Sequence, residues 1–263
     1  ANGKIAMKLD SDDHLIGVAT CDEKDDILLA TTGAKCIRFK LTDVRVFQGR
    51  NSTGVRGIKL PKGIKVISMS LLNHTDYSTA ERAAYLKRSR IERLELGVTE
   101  EVADAENYDE EHQSIDDADL ILSDDLYKKM AQREQFVLTV TAKGFGKRSS
   151  AYEYRVAGRG GQGIANIDLS KIEGNSVVSS FPVEPDTELV MMTDGGQLIR
   201  TGVSEIRIAG RSTRGVTLFR ITTDENVVTV TPMHDDTSID SNDKDEGAET
   251  LPSSDDRLEE GDE

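Results

Sequence analysis

The strongest chemical signal in this sequence is an arginine that follows a glycine in three copies of one short motif. The motif reads Gly-Arg-x-x-x-Gly before a valine or isoleucine, and its copies begin at Gly49, Gly158 and Gly210. Arginine binds phosphate and carboxylate oxygens through several N–H groups at once. A recurring arginine therefore indicates either a surface that binds a polyanion or a structural contact repeated in every copy.

Other basic residues recur with the motif. Each copy is preceded by an apolar run, a glycine turn and a strand that carries lysine or arginine. If the copies surround an axis, equivalent positions lie on one rim, and this stripe of charge suits a polyanion held by its phosphates, without base reading. The residues predicted to contact DNA are Lys35, Arg38, Arg50, Arg56, Lys147, Arg148, Arg159, Arg200, Arg211 and Arg214.

A purely structural role is the alternative for the same positions. In that interpretation the first glycine provides backbone geometry, and the arginine closes its unit by pairing with a neighbouring acid. Our hypothesis assigns the first glycine to structure and the arginines to DNA.

The spacing of the motifs defines a repeat of about 50 residues. The last two copies begin 52 residues apart, and the first two would begin 47 apart if a segment of different composition at 73–134 were removed. At the start of the chain, Gly3–Leu9 matches Gly54–Leu60. Such a period with several β-rich runs is typical of four-stranded propeller-like blades rather than helical solenoids.

Short apolar or β-branched runs separated by turn residues predict four strands in each repeat. The chain begins and stops within a repeat, so we expect it to be a piece of a longer protein. The predicted strands of two repeats are 15–19, 27–31, 35–40 and 55–60, and then 177–181, 189–193, 197–201 and 216–221.

The net charge of −15 conceals a basic protein with acidic appendages. Residues 95–127 carry 13 acids and no lysine or arginine, and residues 234–263 carry 13 acids against Lys244 and Arg257. The rest holds 31 basic and 22 acidic side chains, a net charge of +9. This asymmetry indicates a basic binding surface on the repeats.

The interrupting segment is predicted to be helical at both ends. A capping box at Ser78 and Glu81 starts one helix that runs to about Leu96, and a second helix starts at Ser123 and runs to about Arg133. The predicted organisation is a partial blade, one blade and the start of the next at 1–72, a helical acidic insertion at 73–134, the remaining blades at 135–233 and a disordered acidic tail at 234–263.

Several other functions are disfavoured by the sequence. Gly158–Gly163 reads G-x-G-x-x-G, but a nucleotide fingerprint needs a helix after it, and an alternating strand follows instead. The four histidines lack neighbours at ligand spacing, so we expect no metal, no cofactor and no catalytic residue in this chain. Two cysteines, no signal peptide and no apolar run near 18 residues indicate a reduced, cytoplasmic protein.

At these residues the chain resembles the C-terminal domain of the DNA gyrase A subunit, part of the bacterial type II topoisomerase. The resemblance covers roughly 1–72 and 135–233 and recurs in every unit. It is carried by Asp13–Val18, Gly49–Ile58, Gly144–Arg148 and Val203–Thr213.

The resemblance implies an all-β fold, the β-pinwheel, which is a propeller-like disc whose basic rim wraps double-stranded DNA. It further implies a role in ATP-dependent negative supercoiling. The implied partners are the gyrase B subunit, in an A2B2 assembly, and the rest of the gyrase A subunit, with no membrane. ATP and Mg²⁺ would be used by other domains of that assembly.

Some features depart from the family. No intact copy of its glycine-rich basic box is present, and Ala157–Gly163 is a degenerate form with Gln162 at a basic position. The first two blades and the region with the DNA-cleaving tyrosine are also missing from the sequence. Two alternatives stay open, namely the corresponding domain of topoisomerase IV and a propeller that acts only as a protein-interaction scaffold.

Overall fold

The computed structural model describes residues 3–97, 122–170, 173–222 and 224–233. These residues form eleven strands in three antiparallel sheets, two α-helices and three short 3₁₀ turns. The predicted acidic tail and the middle of the insertion lie outside the described residues. The strands are β1 (Asp25–Thr31), β2 (Lys35–Lys40), β3 (Val66–Asn73), β4 (Phe136–Thr141), β5 (Phe145–Ser150), β6 (Ile164–Ala165), β7 (Val177–Val183), β8 (Glu188–Thr193), β9 (Leu198–Gly202), β10 (Val216–Thr217) and β11 (Val227–Met233).

Each sheet is built around one hairpin of the repeat. The strand orders are β3-β1-β2-β6, β10-β5-β4-β7 and β11-β8-β9. The first unit contributes β1 to β3, the second β4 to β7 and the third β8 to β11. The prediction of an all-β array of propeller-like blades is confirmed.

Neighbouring units are interlocked by a two-residue strand. β6 belongs to the second unit but pairs with β2 of the first, and β10 of the third unit pairs with β5 of the second. The second glycine of the motif immediately precedes each of these strands, with φ of 75° at Gly163 and 80° at Gly215. A side chain there would also collide with the carbonyl group of Cys36 or Gly146 on the facing strand. This glycine is therefore required for the interlock.

Two predicted strands are absent, and one strand was not predicted. Residues 15–19 and 55–60 are irregular, whereas 66–73 form β3. Residues 55–56 are equivalent to β6 and β10, which pair with a preceding sheet, and no strand is found before β1 in the described residues. Residues 15–19 are equivalent to β7 and β11, which each pair with a strand of a preceding hairpin. No such hairpin precedes 15–19 in the described residues, so no strand forms there. The predicted strand at 216–221 is shortened to the two residues of β10.

The strands on one side of the three sheets contact one another. β3 contacts β7, and β7 contacts β11, so these strands line the inner side of the array. The hydrophobic cores lie between sheets, as in the cluster that joins Leu138 and Val183 to Leu189 and Val227. Because β2 and β5 lie on the other side of their hairpins, the Gly-Arg motifs lie at the opposite, outer side.

The insertion between β3 and β4 carries the two predicted helices. α1 (Thr79–Glu95) begins with the complete capping box of Ser78 and Glu81, and α2 (Asp124–Arg133) is capped by Ser123. Both helix predictions are confirmed. None of the helices in these residues is long and apolar enough to cross a membrane.

Aromatic packing attaches the insertion to the second unit. Tyr85 of α1 lies edge-on to Tyr152, with ring centroids 5.2 Å apart, and the Tyr152 hydroxyl donates to the carbonyl of Met130 in α2. All three side chains are buried. Edge-to-face aromatic pairs contribute roughly 0.5–1.5 kcal/mol beyond their buried area, so the helices pack as part of the blade array.

Candidate nucleic-acid interface

The outermost part of each unit is a segment that runs from a 3₁₀ turn through the Gly-Arg motif. We call these the rim segments and define them as residues 44–56, 154–165 and 206–217. The second and third lie along the outer edge of the preceding sheet, where Val156 bridges to Arg38 and Ile208 to Arg148. The amides of Ala157 and Ala209 donate to the carbonyls of the same two arginines, both at 2.8 Å. A polyanion on the outer side would meet these segments first.

The arginine of the motif clamps the unit that precedes it. Arg159 donates from Nε to the carbonyl of Asp43 at 2.9 Å and from Nη1 to that of Arg56 at 3.1 Å. Arg211 repeats both bonds one unit later, with the carbonyls of Glu153 and Ala165 as acceptors. Asp43 and Glu153 are equivalent, since each ends a 3₁₀ turn, at Leu41–Asp43 and Ala151–Glu153. The repeated role of this arginine is to join units.

A second pair of arginines joins units from the other side. Arg38 is buried, forms a 2.8 Å ion pair with buried Asp26, and donates to the carbonyl of Ala151 in the next unit at 2.9 Å. Arg148 is equivalent and donates to the carbonyl of Ile206 at 2.6 Å. Burial lowers the pKa of both guanidinium groups. Their charge is compensated inside the protein.

Lys147 holds the motif loop of the third unit. Its side chain is completely buried, and its Nζ donates to the carbonyls of Gly210 (2.5 Å), Thr213 (2.8 Å) and Arg211. Burial lowers the pKa of its ammonium group to about 7, although nearby Glu153 opposes this shift. The equivalent residues of the other units, Ile37 and Ile199, are uncharged.

The lowered pKa of Lys147 predicts a pH-dependent stability. The unfolded chain keeps this proton up to a pKa of about 10.4, whereas the folded chain releases it near 7. Folding therefore expels a proton between these values, so stability rises with pH in this window. The carbonyl acceptors favour the charged amine and so reduce the effect. We therefore expect the free energy of unfolding to rise by only about 1–2 kcal/mol between pH 7 and 9.

The control for this prediction is Lys147→Met, which removes the titrating group and leaves all others in place. Urea unfolding of both proteins at several pH values measures the difference. If the parent protein and Lys147→Met differed in unfolding free energy by the same amount at every pH from 7 to 9, the buried amine would not titrate in that range.

Four of the ten predicted DNA contacts are therefore corrected. The exposed fractions of Arg38, Lys147, Arg148 and Arg211 are 4%, 0%, 6% and 3%. Each side chain is held by backbone carbonyls of a neighbouring unit, so none can reach a phosphate. They leave the proposed DNA-contact set.

The other six predicted side chains lie at the surface. Arg159 and Arg200 keep exposed surface while bonding to carbonyls and to Glu188 respectively. Arg214 lies with its guanidinium carbon 5.3 Å from the centre of the Phe145 ring. Four of the six belong to rim segments, whereas Lys35 begins β2 and Arg200 lies in β9. The six are Lys35, Arg50, Arg56, Arg159, Arg200 and Arg214.

The structure adds three basic residues that were not among the predicted contacts. Arg45, Arg155 and Arg207 occupy one equivalent position of the rim segments, two residues after each 3₁₀ turn. Arg45 and Arg155 are exposed, and Arg207 is half-buried. The signal was present as Val-Arg-Val, Tyr-Arg-Val and Ile-Arg-Ile, but it becomes visible only when the units are aligned on their 3₁₀ turns.

The described residues give little support to a metal site, a nucleotide-binding fingerprint or a reactive cysteine. No group of three histidine, cysteine, aspartate or glutamate side chains there could hold a metal ion. The G-x-G-x-x-G at Gly158 is followed by β6 and not by a helix, which confirms the sequence argument against a nucleotide fingerprint. Both cysteines are free, and burial raises the pKa of the Cys36 thiol to about 12.

The fold and its rim define a class of protein, namely a propeller-like array of interlocked blades with a basic outer edge. The chain belongs to the family described as "DNA gyrase C-terminal domain, beta-propeller". The match covers residues 1–22, 25–73, 135–184 and 187–232, and it omits the insertion.

Three relatives by sequence are DNA gyrase A subunits. The DNA gyrase A subunit of Granulibacter bethesdensis is 49% identical over 244 residues, and the match covers 92% of this chain and 26% of the relative. Those of Rickettsia bellii and Salmonella typhimurium are 44% and 33% identical, covering 95% and 86% of this chain and 26% and 19% of the relatives. The chain thus spans about a quarter of the length of these proteins.

Two solved structures share the fold. The C-terminal domain of DNA topoisomerase IV has a TM-score of 0.60 and 15% identity, with 86% of this chain and 52% of that chain covered. The DNA gyrase A C-terminal domain has a TM-score of 0.59 and 17% identity, with coverage of 88% and 58%.

Proposed function

We propose that this chain binds double-stranded DNA along its rim segments and bends it, as the C-terminal part of a DNA gyrase A subunit. The observation that carries the proposal is that every rim segment carries exposed arginine, with Arg45 and Arg155 at equivalent positions of the first two and Arg214 on the third. Family membership supports the same function. The buried side chains of Arg38, Lys147, Arg148 and Arg211 contribute indirectly, because they fix the spacing of the units and therefore of the surface charges.

Binding of this kind needs no base recognition. Lysine and arginine neutralise phosphates and release condensed counterions, which provides most of the affinity of sequence-independent binding. Bending a site of 20–30 base pairs costs roughly 1–6 kcal/mol, and contacts on successive units offset this cost. A curved row of cations would hold DNA on a curved path.

In the complete protein, this binding would support ATP-dependent negative supercoiling. The relatives are about four times longer than this chain, so we assign DNA cleavage to parts outside it, and ATP and Mg²⁺ to other domains of the assembly. The proposed partners are the gyrase B subunit, in an A2B2 assembly in the cytoplasm, and the rest of the gyrase A subunit. The chain itself would need no cofactor and contribute no catalytic residue.

Gyrase is the better supported of the two topoisomerase alternatives. The relatives with 33–49% identity are gyrase A subunits, whereas the likeness to topoisomerase IV is structural, at 15% identity. The scaffold alternative makes a different prediction, because protein partners of a propeller need not respond strongly to salt.

The salt dependence of DNA binding tests the proposal. We expect the logarithm of the association constant to fall linearly with the logarithm of the salt concentration, by about 0.9 for each phosphate neutralised. Fluorescence anisotropy with two duplexes of equal length and unrelated sequence should give the same slope. A slope near zero, or binding to only one duplex, would contradict the proposal and favour the scaffold.

A further inference from the structure

The first unit carries four lysines on the segments that meet at the turn of the β1–β2 hairpin. We call these residues the lysine strip and define it as Lys35, Lys59, Lys62 and Lys65. Residues 57–65 follow the first rim segment, pass this turn and enter β3 on the inner side of the array. The backbone of Lys65 bonds to Thr32 of the turn, through its carbonyl at 2.9 Å and its amide at 3.2 Å. The strip therefore lies on the hairpin-turn side of the unit, beyond the rim segment.

Local structure fixes the backbone that carries the strip. The amide of Lys59 donates to the carbonyl of Gly161 in the second motif loop at 2.8 Å. Lys62 lies at the tip of a turn that is closed by a 3.2 Å hydrogen bond from the Ile64 amide. Gly63 provides the φ of 80° that the third position of such a turn requires. The lysines are thus presented by an ordered segment that is anchored at both ends.

The side chains of the strip are available to an anion. All four are exposed, and none of their ammonium groups forms a hydrogen bond or an ion pair within the part of the chain that the structure describes. Residues 55–65 contain no acid. Uncompensated like charges repel one another, so the strip does not serve the stability of the fold.

The strip is particular to the first unit. Glu173, which is equivalent to Lys62, is exposed although its unit has a neighbour on each side. Exposure at this position is therefore a property of the repeat. Positions 59, 62 and 65 correspond to Asp168, Glu173 and Ser176 in the second unit and to Arg220, Thr223 and Asn226 in the third. They carry three positive charges in the first unit, two negative charges in the second and one positive charge in the third.

The hairpin-turn side of the third unit is acidic. Asp194, in the turn between β8 and β9, and Asp224 are both exposed, and these two carboxylates outweigh Arg220. Donation from the Asn226 backbone amide at 2.8 Å lowers the pKa of Asp194, so this carboxylate stays charged at neutral pH. A polyanion is therefore attracted to the hairpin-turn side at the first unit and repelled from it at the third.

We propose that the lysine strip is a further contact for double-stranded DNA, at which DNA on the rim segments turns toward the hairpin-turn side of the first unit. The inference rests on the proposed function, because DNA must follow the outer side of the array to reach the strip. Arg56 ends the first rim segment and is exposed, so basic side chains continue from the rim into the strip. Contacts to phosphates are sufficient, as on the rim. The bound path is then inclined to the row of rim segments.

Acetylation of lysines in the whole chain, with and without a saturating DNA duplex, tests the contact directly. Mass spectrometry after treatment with an N-hydroxysuccinimide acetate gives the reaction rate at each lysine. We expect Lys59, Lys62 and Lys65 to react several-fold more slowly in the complex, and Lys128 and Lys129 of α2 to keep the rate of the free chain. Unchanged rates at the strip within a complex that forms would overturn this inference and leave the proposed function standing. Absence of salt-dependent DNA binding would overturn both.

A pair of double variants gives an independent measurement. Lys62→Gln with Lys65→Gln should reduce the magnitude of the salt slope by about 1.8, because two phosphate contacts are removed. Lys128→Gln with Lys129→Gln removes the same charge and should keep the parent slope. Both changes in the strip leave its backbone hydrogen bonds in place, and circular dichroism melting checks the fold. A strip variant with the melting temperature and the salt slope of the parent protein would contradict the contact.

Discussion

Changing Arg211 to alanine should lower the free energy of unfolding by about 3 kcal/mol, while the salt dependence of DNA binding stays the same. The side chain is buried and donates to the carbonyls of Glu153 and Ala165 in the preceding unit. Hydrogen bonds from a charged donor contribute roughly 1.5–3 kcal/mol each, and the two acceptors would lose their partner. The substitution would lower stability and leave DNA binding unaffected, because the buried guanidinium cannot reach a phosphate.

Arg214 provides the matched control, three residues further along the same loop. It is exposed, so Arg214→Ala should change stability by no more than about 0.5 kcal/mol. It should reduce the magnitude of the salt slope by about 0.9 if the side chain neutralises one phosphate. Urea unfolding and a salt titration on the two variants separate the roles. If instead Arg211→Ala flattened the slope and left stability unchanged, the assignment of Arg211 as a clamp would be wrong.

The parts of the fold that depend on local signals were predictable. The capping box at Ser78 and the N-cap at Ser123 determine where α1 and α2 begin, because a cap acts on amides only two or three residues away. The hairpin of β1 and β2 was also predicted, since apolar runs on both sides of a glycine turn are a local pattern. The interlocking of units was not predicted, because β6 lies about 130 residues after β2, the strand with which it pairs.

The burial of the basic residues could not be predicted from the strands that carry them. A lysine or arginine on a strand suggests a solvent-facing side, but β5 is buried on both faces from Gly146 to Ser150. The groups that compensate Arg148 and Lys147 are carbonyls of the next unit, about 60 residues later. Carbonyls are present in every residue, so no side-chain pattern marks them as partners.

Replacing Arg45 and Arg155 with glutamine should weaken DNA binding more than any other pair of changes on the rim that leaves the fold intact. Both side chains are exposed, and they occupy equivalent places of two rim segments on the outer side of the array. With two phosphate contacts removed, the magnitude of the salt slope should fall by about 1.8. The single effects should add, because sites on different units are far enough apart to act independently.

The control is Lys128→Gln with Lys129→Gln, which changes the net charge by the same amount at two exposed residues of α2, outside the rim segments. We expect this variant to keep the salt slope of the parent protein. The loss caused by the arginine changes should be equal for duplexes of unrelated sequence, since phosphate contacts carry no sequence information. If both double variants reduced the slope equally, DNA would be responding to the total charge of the protein, and the rim segments would not be its binding surface.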